Sequence, residues 1–430
     1  MASTYLSRTS TTGSRRIGTF SAWVKRGSLG TLNSLLDCYT ATEVTWFNIR
    51  FSASDEIQAM GYDATSGFQE QFELRPSRLF RDTSAWYHIV FSWDSTQATA
   101  SDRVKFYVNG ELETSFARSV YPSQNEDFYI NYNSIPYWIG RGGWNANYFN
   151  GSMSHVHVID GTAYDASAFG EYDANGVWKI KTSPSVTYGT NGFFILKDGN
   201  SVTDQSGNGN NFTVAGGTLT NTEDSPSNVF ATANPLNKTS NIFLGNGNLG
   251  IGTTNTGTDE GIAGTIAFDN GKYYWENKYA GSGDPAIGIV KITANNINLN
   301  NERIIYHENG TIYTDGLSGV SAINTGVTYT TNDIISVAFD TENGIIKFYK
   351  NNSLVETITN SQLQYTNNEW IPFWYCANSN NNIAVNANFG NGYFGTTPVA
   401  SAGTNASGIG IFEYDVPTGY TALSTKGLNL

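Results

Sequence analysis

The sequence predicts an all-β protein made of two antiparallel β-sandwich (jelly-roll) domains in tandem. Apolar and polar residues alternate at period two along most of the chain, and no stretch carries a sustained helical stripe. The chain has 45 glycines and 48 asparagines, which favour tight turns between short strands. Charged residues make up 14% and aromatic residues 14%. This is too little charge for a coiled coil and too many aromatics for a disordered chain. A length of 430 residues favours two domains.

Alternation in the first half predicts several short strands and one hairpin. The hairpin runs from Val104 to Glu113, and its Asn109-Gly110 pair supplies the positive φ angles of a type I′ turn. One short helix is expected at Ala163–Phe169. The strands predicted here are Thr19–Lys25, Thr45–Phe51, Trp86–Trp93, Val104–Asn109, Tyr137–Gly140 and Ser154–Ile159.

The second half repeats this pattern. Asp94 and Asp340 each precede a strongly β arm that ends in an Asn-based turn, so we expect a similar central hairpin in both sandwiches. The match is brief, and ordinary hairpin chemistry alone could explain it. The strands predicted here are Tyr273–Asn277, Ala286–Val290, Ile334–Phe339, Ile345–Lys350, Leu354–Ile358, Ile371–Tyr375 and Ile383–Asn388.

A polar run with two prolines and no alternation, residues 221–236, predicts a linker. The domain organisation is therefore a basic N-terminal segment at 1–18, a first sandwich at 19–220, the linker, and a second sandwich at 237–430. Cys38 and Cys376 fall in different domains, and two reduced, buried thiols are favoured over a bridge.

Charge and hydropathy exclude several functions. A net charge of −13 argues against a nucleic-acid partner, because phosphate binding depends on Lys and Arg. No run of about 20 apolar residues predicts membrane insertion. The N-terminal arginines are not followed by an apolar core, so we expect no signal peptide.

Several motifs of the first domain resemble the concanavalin A-like, laminin G-type lectin sandwich, and several of the second resemble a SPRY domain. One departure is Asn351-Asn352, where many SPRY domains carry an Asn-Gly turn; two asparagines can still adopt that turn. The first resemblance is carried by Trp86–Asp94, Val104–Glu111, Trp138–Arg141, Phe149–Asp160 and Val202–Phe212. The second is carried by Gly271–Glu276, Ile287–Ile289, Asp333–Asp340, Pro372-Phe373, Asn388–Gly390 and Pro417–Tyr420.

Three further runs are Phe169–Trp178, Tyr188–Phe193 and Asp224–Asn228, and together they are similar to structural proteins of tailed, marine-type bacteriophages. The resemblance implies a protein on the virion exterior, in a tail fibre, tail appendage or head decoration, that serves host attachment. Its implied partners are other virion proteins and a host cell-surface glycan or protein. We expect a homo-oligomer, a trimer if it is a fibre, with a capsid-decorating monomer as the rival. The alternative is an architectural decoration or cement protein without a host ligand.

Catalysis is not predicted. A glycoside hydrolase needs two acids flanking the scissile bond, and the pairs Glu171/Asp173 and Glu413/Asp415 lie in turn-rich loops without a third acid two residues on. No Gly-x-Ser-x-Gly elbow is present. An endoglycosidase attached to the particle remains the enzymatic alternative.

No cofactor or metal site is predicted. His155 and His157 could ligate a metal from one strand face, but hydrogen-bonded structural imidazoles are favoured. The run Asp204–Asn211 lacks the spaced carboxylates of an EF-hand loop. Because laminin G-type domains can bind calcium elsewhere, calcium stays possible without a specific motif.

The predicted ligand-binding residues are Trp144, Asn145, Asn147 and Tyr148, in a loop that begins where a strand ends. Aromatic faces pack on sugar C–H surfaces, and amides bind hydroxyls. The alternative is a loop whose aromatics fold back onto the sandwich rim or contact a neighbouring subunit. In the second domain, 295–301 and 378–382 could form a similar polar rim, although solvated turns are favoured.

The basic N-terminal segment is the predicted virion-docking element. Arg8, Arg15 and Arg16 lie in a Ser/Thr-rich stretch and could bind an acidic groove on a partner. The alternative is a flexible tail that charge keeps soluble.

Overall fold

The computed structural model describes residues 3–40, 45–63, 69–197, 201–253, 258–292, 302–315, 317–376 and 384–430. The chain divides into two compact units, 1–221 and 222–430. Helix is confined, within the described residues, to single 3₁₀ turns, and none could cross a membrane. These turns are Ala100–Asp102, Gly143–Asn145, Ala166–Ala168, Ser361–Leu363 and Gly427–Asn429.

The first domain contains the predicted strands and several more. In chain order its described strands are β1 (Tyr5–Thr9), β2 (Ile17–Arg26), β3 (Asn33–Thr40), β4 (Thr45–Phe51), β5 (Ile57–Asp63), β6 (Gln69–Pro76), β7 (Trp86–Asp94), β8 (Val104–Val108), β9 (Glu111–Leu112), β10 (Phe116–Val120), β11 (Pro136–Ile139), β12 (Gly151–Asp160), β13 (Gly170–Tyr172), β14 (Trp178–Ile180), β15 (Phe193–Ile195) and β16 (Thr213–Gly216).

These strands form two packed antiparallel sheets and a small hairpin. Among the described residues, one sheet has the order β10-β6-β5-β4-β3-β11-β1-β16 and the other β15-β12-β2-β7-β8-β9. The core lies between them: the Phe47 ring of one sheet is 6.1 Å from Phe91 and 5.2 Å from Trp93 of the other. Alternation along β4 therefore places every second side chain on the outer face of the first sheet.

Two expectations for the first domain need correction. Residues 1–18 are not a segment outside the sandwich, because β1 pairs with β11 and β16 and buries Leu6. One buried apolar residue in a five-residue strand is too weak a signal for alternation to detect. The helix expected at Ala163–Phe169 is reduced to the 3₁₀ turn Ala166–Ala168.

The second domain has the same kind of construction. Its described strands are β17 (Ala233–Lys238), β18 (Ile242–Gly245), β19 (Gly250–Thr253), β20 (Glu260–Gly264), β21 (Lys272–Tyr279), β22 (Pro285–Lys291), β23 (Arg303–His307), β24 (Thr311–Asp315), β25 (Ile323–Asn324), β26 (Ile334–Asp340), β27 (Ile345–Lys350), β28 (Ser353–Thr359), β29 (Trp370–Cys376), β30 (Ala384–Asn388), β31 (Tyr393–Phe394), β32 (Thr397–Pro398) and β33 (Thr421–Ala422).

Its two main sheets, as far as the chain is described, have the orders β17-β20-β29-β22-β23-β24-β25 and β18-β19-β30-β21-β26-β27-β28, with β33 parallel to β21. In the core between the two sheets, Tyr306 of β23 packs against Phe348 of β27, with ring centroids 5.8 Å apart. Part of the predicted linker 221–236 belongs to this core, because Phe230 and Ala231 are buried in it and β17 begins at Ala233. Phe230 and Ala231 are surrounded by polar residues in the sequence, so no alternation of apolar and polar residues predicted that they are buried.

The two sandwiches share the same central hairpin turn in detail. Asn109 and Asn351 both have positive φ, at 49° and 46°, and each begins a two-residue turn. The Asn109 side chain accepts from the His88 N–H at 2.8 Å, and the Asn351 side chain accepts from the Ile334 N–H at 2.9 Å. Asn352 has φ of 68°, so Asn351-Asn352 does form the turn that an Asn-Gly pair would form.

Candidate functional site

A cleft of about 420 Å³ opens on the outer face of the β3–β6 region of the first domain. It is created by alternation: Phe47, Ile49 and Phe51 are buried in the core, so Asn48 and Arg50 point to the opposite face. The cleft is lined by Ser34, Asp37, Trp46, Asn48, Arg50, Gln58, Met60, Tyr62, Glu73, Gly143 and Asn147.

Strand register places these side chains in rows across the sheet. Asp37 is opposite Asn48, Asn48 is opposite Met60, and Met60 is opposite Glu73. The neighbouring row pairs Trp46 with Tyr62. The cleft therefore depends on four strands joined by correct pairing, and a one-residue slip in any of them would turn its side chains into the core.

The floor of the cleft contains buried polar atoms with spare hydrogen-bonding capacity. Asp37 Oδ2 accepts from Asn48 Nδ2 at 2.8 Å and from the Gly143 N–H at 3.0 Å. Asp37 Oδ1 and Asn48 Oδ1 are buried and have no hydrogen-bond partner among the described residues. Both side chains are more than nine-tenths buried. Such atoms are expensive to leave unpaired, and they mark a place where a bound water or ligand would gain most.

Burial raises the pKa of Asp37 to about 7, against the opposing effects of the Gly143 N–H and the Arg50 guanidinium. Below this pH the carboxyl group holds a proton and can donate a hydrogen bond as well as accept one. Asp37 is therefore uncharged at mildly acidic pH and becomes an anion above neutrality.

A chain of polar contacts forms one side of the cleft. Arg50 Nε donates to Gln58 Oε1 at 3.0 Å, and Gln58 Nε2 donates to Glu73 Oε1 at 2.7 Å. Arg118 Nε donates to the other oxygen of Glu73 at 2.7 Å. Glu73 thus forms an ion pair with Arg118, and Gln58 lies between the Glu73 carboxylate and Arg50.

The aromatic part of the cleft is a stacked pair. The rings of Trp46 and Tyr62 lie 4.6 Å apart at an interplanar angle of 26°, and both residues are half-buried. Tyr62 is held by a 3.2 Å hydrogen bond from its hydroxyl to Glu70. A fixed, partly exposed aromatic surface beside polar groups is suited to a ligand with one apolar and one polar face.

The predicted ligand loop lies at one edge of this cleft. Asn147 lines the cleft, while Asn145 is exposed and accepts a 2.5 Å hydrogen bond from the Tyr148 hydroxyl. Both asparagines have positive φ, which explains their residue type better than ligand contact does. The Tyr148 ring packs 6.1 Å from Tyr5, at the sandwich rim, and the Trp144 side chain lies outside the described part of the structure. The structure therefore brings Asn147 to the cleft, and Asn145 and Tyr148 mainly bind each other.

The three N-terminal arginines lie in the sandwich itself. Arg8 is half-buried and donates to Asn210, and Arg15 Nε donates to a backbone carbonyl at 2.7 Å. Arg16 forms an exposed ion pair with Asp127 at 2.8 Å. The flexible-tail alternative is therefore wrong for these residues. Docking to a virion partner stays a prediction, and Arg16 is the most exposed of the three side chains to test it.

The sequence-predicted acidic pairs are used in local turns. Asp173 accepts from the backbone N–H groups of Asn175 and Val177, each at 2.9 Å. Asp415 accepts from the Thr404 N–H at 2.6 Å, and Glu413 accepts from a backbone N–H at 2.7 Å. Glu171 Oε2 lies 3.9 Å from Lys181 Nζ, so each of the four carboxylates has a partner among the described residues.

His157 and the Asp204 carboxylate also have hydrogen-bond partners within the first domain. His157 bonds the Tyr188 hydroxyl at 3.0 Å and stacks on Phe194 at 4.0 Å, and burial lowers its pKa well below the usual range. A β-bulge between Ser154 and His157 breaks the expected i, i+2 alignment with His155. Asp204 accepts three backbone N–H bonds and one hydroxyl bond. Within the described residues, no group of three or more His, Cys, Asp or Glu side chains could hold a metal ion.

Two other expectations have different outcomes. The polar rims at 295–301 and 378–382 lie outside the described residues. Cys38 and Cys376 are both buried and neither forms a disulfide, as the sequence favoured.

Comparison with known families accounts for both domains. Residues 2–167 match the concanavalin A-like lectin/glucanases superfamily of laminin G type. Residues 272–391 match the SPRY domain. The chain carries a laminin G-type lectin domain followed by a SPRY domain. The tandem sandwich fold is thereby confirmed, and both domains are of kinds that suggest binding or adhesion.

Several solved structures are similar to parts of this chain. The SPRY domain of human HERC1 is 16% identical with a TM-score of 0.30, over 36% of this chain and 96% of that one. A SAP-like pentraxin from Limulus polyphemus is 15% identical with a TM-score of 0.28, over 37% and 71%. The TRIM65 PSpry domain is 11% identical with a TM-score of 0.29, over 37% and 91%. No curated protein matches the chain.

Sequence reasoning missed most of the cleft in the lectin-like domain. The signal within reach was the strand Thr45–Phe51, where Trp46, Asn48 and Arg50 alternate with apolar core residues. An aromatic, an amide and a cation on the outer face of a well-predicted strand are candidates for ligand contact. Asp37, Gln58 and Glu73 gave no such signal, because their strands were not predicted.

Proposed function

We propose that this chain is a non-enzymatic protein of a phage virion surface, in a tail fibre, tail appendage or head decoration. Its lectin-like domain would bind a host cell-surface glycan in the cleft, with the chain on the virion exterior and in contact with other virion proteins. The observation that carries the proposal is the cleft, with its stacked Trp46–Tyr62 pair beside unsatisfied polar atoms.

The composition of the cleft fits a sugar. A pyranose ring has an apolar C–H face that packs on an aromatic surface, and hydroxyls that both donate and accept hydrogen bonds. Trp46 and Tyr62 offer the first kind of contact, and Asp37, Asn48 and Asn147 offer the second. The cleft volume of about 420 Å³ also lies within the range usual for small-ligand sites.

The phage assignment rests on the sequence resemblance of the runs between Phe169 and Asn228 to tailed-phage structural proteins. A glycan-binding module suits that setting, because weak single contacts multiply when copies act together. Linked copies gain about 10²–10⁴ in avidity without new chemistry. A homo-oligomer, with a trimer for a fibre, belongs to the proposal for the same reason.

The arrangement of acids supports a non-enzymatic role. Asp37 and Glu73 are the acidic residues that line the cleft among the described residues, and three strand spacings separate them. That places their backbones about 14 Å apart. Glycoside hydrolases hold their two carboxyl groups about 5–9.5 Å apart. Both oxygens of the Glu73 carboxylate moreover accept hydrogen bonds, from Gln58 and from Arg118.

The test is binding of purified full-length protein to intact candidate host bacteria and to unrelated cells. We expect selective binding that Trp46→Ala reduces about tenfold or more, since an aromatic–sugar contact and its buried area are lost. Tyr172→Ala is the matched control, because Tyr172 is 52% exposed on the same domain and lies outside the cleft.

Equal loss in both variants would contradict the assignment of the cleft. Absence of binding to every host tested would favour the architectural decoration protein instead. Release of fragments from host polysaccharide, abolished by Glu73→Gln, would contradict the non-enzymatic part of the proposal.

A further inference from the structure

We propose that the glycan bound in this cleft is acidic, and that the Arg50 guanidinium holds a sugar carboxylate. The inference rests on the proposed function and adds to it the chemical class of the ligand. Arg50 projects from the middle of β4 into the cleft, next to the aromatic and amide side chains that would contact the sugar ring.

The Arg50 guanidinium has N–H donors that make no hydrogen bond within the described residues. Among the described residues its one hydrogen bond is from Nε to Gln58, and no carboxylate oxygen lies within ion-pair distance of it. Both terminal nitrogens therefore remain available, and their fork matches a carboxylate with two parallel N–H···O bonds. Burial lowers the pKa of Arg50, yet an arginine stays charged in proteins. Asp37 and Glu73 act on this half-buried cation without pairing with it directly, and a ligand anion bound to its terminal nitrogens would stabilise it further.

The other arginines of this face are already engaged. Arg118 donates to Glu73 at 2.7 Å and to Glu70 at 2.6 Å. Arg141 lies over the ring of Trp138 at 4.3 Å. These contacts leave Arg50 as the cation that lines the cleft within the described residues.

The acidic groups near Arg50 do not oppose a ligand anion at mildly acidic pH. Glu73 lies within ion-pair distance of both Arg118 and Arg75, and Asp37 is protonated below its pKa of about 7. The charged groups that act on Asp37 are Arg50 of β4 and Arg141 of the adjoining loop, and both favour its ionised form. Above neutrality Asp37 becomes an anion and would repel a sugar carboxylate. We therefore expect tighter binding at pH 6 than at pH 8.5.

The probe is the purified surface polysaccharide of the cells that the full-length protein binds, used native and after carbodiimide–borohydride reduction. This treatment converts carboxyl groups to primary alcohols and leaves the remainder of the polymer unchanged. We expect reduction to weaken binding about tenfold or more, as loss of a bidentate charge-assisted contact does. Native polymer should also bind more weakly as salt concentration rises.

Variants assign the effect to Arg50. Arg50→Gln should weaken binding of the native polymer about tenfold and weaken binding of the reduced polymer much less. Arg50→Lys keeps the charge and loses the fork, so we expect an intermediate affinity. Arg78→Gln is the matched control, because Arg78 is exposed and paired with Glu113 away from the cleft.

The outcomes separate the two proposals. If reduction changes nothing while Trp46→Ala still abolishes binding, the acidic-ligand inference is wrong and the glycan-binding function stands. If binding survives reduction and is lost on removal of sulfate groups, the carboxylate is the wrong anion. If the folded protein binds neither form of the polymer and does not bind host cells, both proposals are wrong.

Discussion

Substitution of Gly288 by alanine tests the packing of the SPRY domain. Gly288 lies in β22, opposite Ile305 of β23. A Cβ atom at this position would be 1.9 Å from the Ile304 carbonyl oxygen and 2.9 Å from the Ile305 Cα. Ordinary van der Waals separation would require the two strands to move apart by about 1.5 Å. A ladder hydrogen bond stretched by this amount is lost.

The expected cost combines two effects. Overpacking in a core costs about 1–3 kcal/mol, and each lost ladder bond adds about 1 kcal/mol. We expect Gly288→Ala to lower the free energy of unfolding of the SPRY domain by about 3 kcal/mol. For a domain of this size that corresponds to a fall in Tm of about 6–12 °C.

The assay is thermal unfolding of the full-length chain by calorimetry, with Gly245→Ala as the matched control. Gly245 is also a strand glycine of the SPRY domain, and a Cβ there would meet nothing within 4 Å. Its substitution should change stability by less than about 1 kcal/mol. Equal melting of the two variants would refute the packing argument.

Two predictions concern the lectin-like domain. Burial lowers the pKa of His88 to about 3, so the folded state excludes a proton that the unfolded chain takes up below its usual pKa. The stability that His88 contributes is therefore full above about pH 6.5 and is lost as the pH decreases, by about 2 kcal/mol between pH 7 and pH 5. Denaturation midpoints should show a smaller loss in His88→Gln, and an identical pH dependence would contradict the assignment. Because the Asp204 carboxylate is already occupied by N–H and hydroxyl donors, EDTA should shift the Tm of this domain by less than about 1 °C. A calcium-dependent rise of several degrees would show that the loop rearranges to bind the ion.

The fold was predictable where local chemistry is decisive. The strand Thr45–Phe51 was predicted with its observed bounds, because strict alternation and β-branched or aromatic residues fill it. Both hairpin turns followed from asparagine at a position of positive φ. The strand β1 and the linker residues Phe230 and Ala231 were missed, because each contributes few apolar residues and is held by distant partners.

The candidate site was predictable only at its edge. The loop Arg141–Tyr148 was found from its aromatic and amide content, and it supplies Asn147 to the cleft. Asp37 was not found, since nothing in its local sequence indicates that Gly143, more than a hundred residues away, donates to it.

The sequence by itself determined the fold class, most strands, the turns and the two domain types, since these follow from patterns within a few residues. Only the tertiary structure decided the cleft, the raised pKa of Asp37 and the free donors of Arg50. Pairing of β3, β4, β5 and β6 brings Asp37, Asn48, Met60 and Glu73 onto one face, and Gly143 and Asn147 close its edge. Burial and hydrogen-bond partners are properties of that assembled face, and no single segment of the chain contains them.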